Sequence, residues 1–226
     1  MKPVVVFDVN ETLLDLSPIR TWFTERFENT PDAKIWFTEL LRLSFVSAAT
    51  DRYLPFTTLA TSALDTVASR SGTEATADDM ARIAGLFTVL PPHSDVESGL
   101  DLLRGNGFVL AALTNSPQST AESQLANAGI SAKFDHIMSV EMVKRFKPHP
   151  SVYLSAANSL GVAIRDITMV AAHDWDVSGA LAAGATGVFV ERPGQSYSSA
   201  FEPPTMRSRD INDAAAQIID RYEQAG

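Results

Sequence analysis

Short apolar runs rich in β-branched residues, each leading into a helical stretch, constrain this chain more than any other feature. Residues 4–7 are continuously apolar, the texture of a strand buried on both faces of a parallel sheet. Similar runs at residues 108–113, 137–138, 167–171 and 186–190 predict further strands. Helices fill the intervals. Ser94-x-x-Glu97 reads as a capping box opening one helix with Leu100 and Leu103 inward; others run from Ser116-Pro117 to near Gly129, from Pro150 to near Gly161, over 176–183 and over 211–222. Strands alternating with helices require crossovers, so the expected core is a doubly wound α/β domain with a parallel sheet. Gly184 and Gly187 read as a helix stop and a turn, outside any dinucleotide fingerprint.

The second feature is an interruption. After the first strand the texture turns helical, with Ser17 as a capping residue, Pro18 at the first helical position and Ile19, Trp22, Phe23 and Phe27 on one face. Three more stripes follow: Ile35, Trp36, Leu40 and Leu41; then Phe56, Leu59, Ala60, Ala63, Leu64 and Val67; then Met80, Ile83, Ala84 and Phe87. Pro91-Pro92 closes the block, because neither ring fits inside a helix. Residues 16–90 are therefore expected to form an all-helical cap inserted into a core made of residues 1–15 and 91–226. A ligand would sit between the two, at the carboxyl ends of the strands.

Composition excludes several function classes. A net charge of −9, with no window holding more than a few basic residues, argues against a nucleic-acid partner. The absence of cysteine removes disulfides, thiolate nucleophiles and thiolate metal sites, and fits a cytoplasmic address. The opening apolar run is cut off by Asp8, too short for a signal-peptide core, and no stretch approaches the roughly 20 apolar residues that span a bilayer. A soluble protein without a membrane partner is expected.

Chemistry-bearing residues gather at the ends of the predicted strands. Asp8 ends the first, with Asn10 and Thr12 close behind. Thr114, Asn115 and Ser116 end the second and lead into a helix N-terminus, which favours anions. A cationic loop, Lys144-Arg145-Phe146-Lys147, is stiffened by Pro148 and Pro150, and His173, Asp174, Trp175 and Asp176 stand where another helix begins. Together these supply a nucleophile, anion donors, a cation and a second carboxylate.

In this order the motifs resemble the haloacid dehalogenase superfamily, in which the first-strand Asp is the nucleophile. The insertion after the first motif, the Lys-Pro-x-Pro-x-x-Tyr run ending at Tyr153, and Ala172-His173-Asp174-Trp175-Asp176 against the family's Ser-Asn-x-Trp-Asp resemble the type II branch that hydrolyses L-2-haloacids. The resemblance implies that Asp8 displaces halide from the α-carbon of a small carboxylic acid, leaving an ester that water hydrolyses at the Asp8 carbonyl. It implies that Lys147 keeps Asp8 ionised, that Thr12, Thr114 and Asn115 bind the substrate carboxylate, and that Asp176 with His173 activates water. Tyr153 and Asn10 join the substrate contacts, and Trp175 and the cap aromatics dry the site. A homodimer is implied too. No cofactor or metal is implied for this branch.

Two departures bear on the chemistry. Phe37 stands where the type II branch has the Arg that receives the halide, and Arg42 lies about 140° off that face. Halide would then leave toward ring edges or amides such as Asn10 and Asn115. Asn10 also replaces the family's usual Tyr. A phosphatase using Mg²⁺ is the first alternative; it needs a general-acid Asp at position 10 and a metal-ligating Asp at position 172, where the chain has Asn10 and Ala172. A binding protein without turnover is the second. Among other candidates, His93, His136 and His149 read as structural or surface residues. Trp22, Phe23, Trp36 and Phe45 read as cap core or dimer contacts, and Phe37 as the cap aromatic facing the site.

Overall fold

The computed structural model describes residues 4–28 and 31–225. Its sheet is six-stranded in the order β3-β2-β1-β4-β5-β6. The strands are β1 (Val4–Phe7), β2 (Val109–Thr114), β3 (His136–Ser139), β4 (Ile167–Ala171), β5 (Thr186–Val190) and β6 (Met206–Ser208), and every pairing is parallel. β1 lies in the middle because its four residues are buried and carry no polar group that would seek water. From β1 the chain winds to β2 and β3 on one side, then crosses to β4, β5 and β6 on the other. That reversal opens a crevice at the carboxyl end of β1, the expected ligand position in a doubly wound sheet.

The helices α1 (Ser17–Phe27), α2 (Ala33–Ala49), α3 (Phe56–Arg70) and α4 (Ala77–Phe87) follow β1 before α5 (Val96–Gly105) returns the chain to the sheet. They are held to one another by an aromatic cluster in which Trp36 is fully buried among Phe23, Phe37 and Phe87, with its indole N–H donating to Ala60 O. The outgoing and returning segments run side by side: Asp15 N–H donates to Pro91 O, and His93 N–H to Leu13 O. The remaining helices are α6 (Gln118–Asn127), α7 (Pro150–Leu160), α8 (Asp174–Ala183) and α9 (Ile211–Ala225). Among the described residues no helix is long and apolar enough to cross a membrane.

Four local expectations are corrected. The Ser94/Glu97 capping box does not form: α5 starts at Val96 after Asp95, whose carboxylate is taken by Arg192 and the Ile211 N–H instead. Ser17 is inside α1 rather than capping it, and donates its N–H to Asp15 Oδ1. α6 begins at Gln118, whose N–H is accepted by Glu141, and α8 begins at Asp174, two residues earlier than the apolar pattern suggests. β6 is unanticipated, being three residues long with Arg207 at its centre.

Candidate active site

Asp8 follows the last residue of β1 and still donates its N–H to Val170 O, so the sheet itself fixes the backbone of the proposed nucleophile. Its side chain is buried and fully engaged. Oδ1 accepts from Lys147 Nζ at 2.8 Å; Oδ2 accepts from Thr12 Oγ1 at 2.7 Å and lies 3.1 Å from His173 Nδ1. Burial alone would raise the Asp8 pKa, but the Lys147 ammonium and the His173 ring pull it well below the usual carboxylate range. Asp8 is therefore an anion at neutral pH.

Lys147 reaches Asp8 from the loop before α7 with no solvent exposure. Its ammonium bridges Asp8 and Asp176 Oδ2, the latter at 2.7 Å, and donates to Leu113 O at 2.9 Å. Burial works against its charge, yet Asp176 and Asp8 outweigh that and raise its pKa. The loop comes this close because α8 carries Gly179. A Cβ there would lie 2.5 Å from Pro148 Cβ and 2.7 Å from the Tyr153 hydroxyl.

Several residues expected at the substrate are used one layer deeper. Thr12 is fully buried, donating to Asp8 while accepting from Ala172 N–H, so it orients the Asp8 carboxylate. Thr114 is likewise buried, and its Oγ1 accepts the Ser116 N–H within the turn after β2. Tyr153 donates its hydroxyl to Asp176 Oδ1 at 2.6 Å beneath the site. Asp176, expected to activate water, has no exposure and both oxygens occupied, by Tyr153 and Lys147. Burial pushes its pKa up. It fixes Lys147 and has no face left for water.

Asn115 and Asn10 have fixed amide orientations. Asn115 Oδ1 accepts the Lys147 N–H, which turns its NH₂ group the other way. Asn10 donates to Ser116 Oγ and accepts from Gln124 Nε2, and Gln124 in turn donates to Phe87 O at the end of α4. Gln124 was invisible in the sequence pattern, because a Gln in a weakly amphipathic helix looks like any solvated side chain.

His173 is the other residue whose setting exceeds expectation. Its ring is buried and stacked between Trp175, at 4.9 Å between centroids, and Phe37 of α2, at 6.2 Å. Phe45 packs edge-on against Trp175, behind the cavity wall rather than only in the interior of the insertion. Nε2 of His173 lies 2.9 Å from Glu11 Oε2, which also accepts from Gln195. Burial would lower the His173 pKa, but the hydrogen bonds to Asp8 and Glu11 and both negative charges raise it to about 10. The ring is thus an imidazolium at neutral pH, held between two carboxylates. Glu11, His173, Phe37 and Trp175 line a cavity of about 380 Å³ that runs outward past Ile19 and Lys34. Its size suits a small molecule.

The family model for haloacid dehalogenase-like hydrolases matches residues 2–184. The chain belongs to that family. Among individual proteins it is similar to the (S)-2-haloacid dehalogenase H-109 of Pseudomonas putida, 25% identical with 97% of this chain and 100% of that protein covered. It is similar also to the haloacetate dehalogenase H-2 of Moraxella sp. (strain B), 24% identical with 95% and 96% covered. In fold it matches L-2-haloacid dehalogenase from Xanthobacter autotrophicus with chloropropionic acid covalently bound, at a TM-score of 0.88, 23% identity and coverage of 96% of this chain and 98% of that one.

Within this haloacid dehalogenase-like hydrolase, a divalent cation finds few ligands. A hard cation requires several oxygen donors. Position 172 is the apolar Ala172, and both Asp176 oxygens are engaged. Among the described residues no group of three His, Asp or Glu side chains could hold a metal ion. Phe37 stands against the imidazolium, and Arg42 turns away to pair with Glu39 at 2.7 Å.

Proposed function

We propose that this hydrolase cleaves the carbon–halogen bond of a small 2-haloalkanoic acid through an ester of Asp8, with no metal in either step. The observation that carries this reading is the Asp8 carboxylate, buried yet anionic, pinned by Lys147, Thr12 and His173 at the crevice of the sheet. The haloacid activities named for the relatives support it. In the first step an Asp8 oxygen attacks the α-carbon and the halide leaves with the bonding electron pair. The Asn115 NH₂ group, aromatic ring edges and Asn10 are the halide-facing groups of this reading.

The second step follows from charge. Esterification neutralises Asp8, so His173 loses one of the two anions that hold its proton and its pKa falls. Its Nδ1 proton then leaves for solvent. The Nε2–H stays on Glu11, which keeps Nδ1 as the basic nitrogen beside the ester. A water attacks Asp8 Cγ as Nδ1 takes one of its protons; the acyl C–O bond breaks and the departing alkoxide takes that proton to give the 2-hydroxy acid, while the second water proton passes from the Asp8 acid to Nδ1, restoring the Asp8 carboxylate and the imidazolium. Each turnover consumes one water and yields one halide and one proton.

In this reading residues 16–90 act as the cap over a core of residues 1–15 and 91–226. The protein works as a cytoplasmic homodimer, a view supported by the lack of cysteine and by exposed Ile35, Val46 and Leu54 on the insertion. Purified protein is expected to release halide from L-2-chloropropionate with EDTA present, and Asp8→Asn to lose all release while still folding. EDTA-sensitive phosphate release without halide would move the protein to the phosphatase alternative.

A further inference from the structure

Glu11 is a non-glycine residue in the left-handed region, with φ at 63°. Such a backbone persists only where its surroundings over-determine it. Here it is stitched from several directions. The Glu11 N–H donates to Leu14 O at 2.9 Å, the Glu11 carbonyl lies 3.2 Å from His93 Nε2, and the next carbonyl, of Thr12, accepts from Arg192 through both Nε and Nη2. A carbonyl can only accept, so His93 Nε2 carries the hydrogen. Burial and the neighbouring Arg192 charge lower the His93 pKa and favour the neutral ring. His93 touches neither Asp8 nor His173 in any hydrogen bond, but it grips Glu11, whose carboxylate holds His173 Nε2.

We propose that His93 is a positioning residue for hydrolysis of the Asp8 ester, holding Glu11 in its left-handed turn so that the Glu11 carboxylate stays on His173 Nε2. His93 belongs to the segment returning from the helical insertion, so seating of the insertion and alignment of the hydrolytic base share one contact. The inference rests on the dehalogenase reading. Its chemistry is the second step above, in which water adds to Asp8 Cγ, one of its protons passes through His173 Nδ1 to the departing alkoxide, and no other reactant is needed.

The test separates the two half-reactions. With L-2-chloropropionate, His93→Leu is expected to give a halide burst of one equivalent at the unaltered rate, then steady turnover reduced about tenfold or more, the scale of a misplaced catalytic group. Intact-protein mass spectrometry should then find the ester accumulated on Asp8. His93→Gln keeps an amide N–H within reach of the Glu11 carbonyl and should restore most of the turnover. The backbone bond from His93 to Leu13 survives both changes, and if His93→Leu fails to fold, His93→Asn, whose amide is too short to reach, serves instead. A fall in burst and steady rate by the same factor, unchanged turnover, or no ester on Asp8 would overturn the proposal. Absence of halide release from the unaltered protein would instead sink the dehalogenase reading, and this inference with it.

Discussion

At the scale of single residues, the charge of Glu11 separates orientation from proton affinity. Glu11→Gln retains a side chain able to accept from His173 Nε2 but removes a negative charge 2.9 Å away. Two effects should follow together. Turnover should drop by about a hundredfold, because the imidazole is a weaker base and is less firmly oriented. The acidic limb of the kcat–pH profile should move to lower pH, because with less negative charge nearby the ring gives up its proton more readily. A drop with no movement of that limb would deny the pair its role. The sequence made much of this cast legible: Asp8, Lys147, His173 and Asp176 all converge, since motif order fixes which strand end each occupies. Direction was not legible. Whether Thr12 and Tyr153 face a ligand or support Asp8 and Asp176 depends on partners such as Ala172 and Asp176, which the chain brings close only on folding. Glu11 was hidden because an acidic residue after a strand end reads as a solvated turn.

At the scale of elements, the site depends on one close approach. α8 carries the second carboxylate at its N-terminal end and, one turn further, Gly179 against Pro148 and Tyr153. Gly179→Ala would force a methyl into space occupied by backbone and ring, so the loop bearing Lys147 must move away. A shift of that loop lengthens the Lys147–Asp8 contact, and the Asp8 pKa should climb toward its ordinary value. The expected outcome is a loss of activity of about tenfold to a hundredfold with a destabilisation of about 1–3 kcal/mol from overpacking. Calorimetry and initial rates on the same sample check both; a variant equal to the parent in each would show that the approach is dispensable. The apolar runs made this packing partly readable. They predicted α8 and the strands around it, but a Gly inside a helix shows no sequence sign of what lies opposite. β6 escaped for a related reason. Three residues with a charged centre carry no periodicity, and the strand exists because β5 offers it an edge.

At the scale of the whole molecule, the buried charges couple the site to folding. His173 in the unfolded chain titrates near 6.5, whereas in the folded protein its pKa stands at about 10. A group whose pKa is raised by folding contributes its full stabilisation below the unfolded value and loses it as pH rises through the folded one. Asp8 acts in the opposite sense: its folded pKa is depressed, so its contribution is present above about 3.8 and is lost as pH falls. The fold is thus squeezed from both sides by the groups proposed to do its chemistry. The unaltered protein should lose several degrees in Tm between pH 7 and pH 10, on the scale of a few kcal/mol in a chain of this size. His173→Gln should be less stable at pH 7 and nearly flat over that interval, so the two Tm curves converge toward pH 10. Parallel curves would mean that the imidazolium carries no folding free energy. Esterification removes the Asp8 charge that helps hold the proton, so the covalent state should show a weaker pH slope than the free enzyme. Trapping the ester in a hydrolysis-deficient variant such as Glu11→Gln, and comparing its slope with that of the same variant without substrate, reads the charge change that the proposed second step depends on.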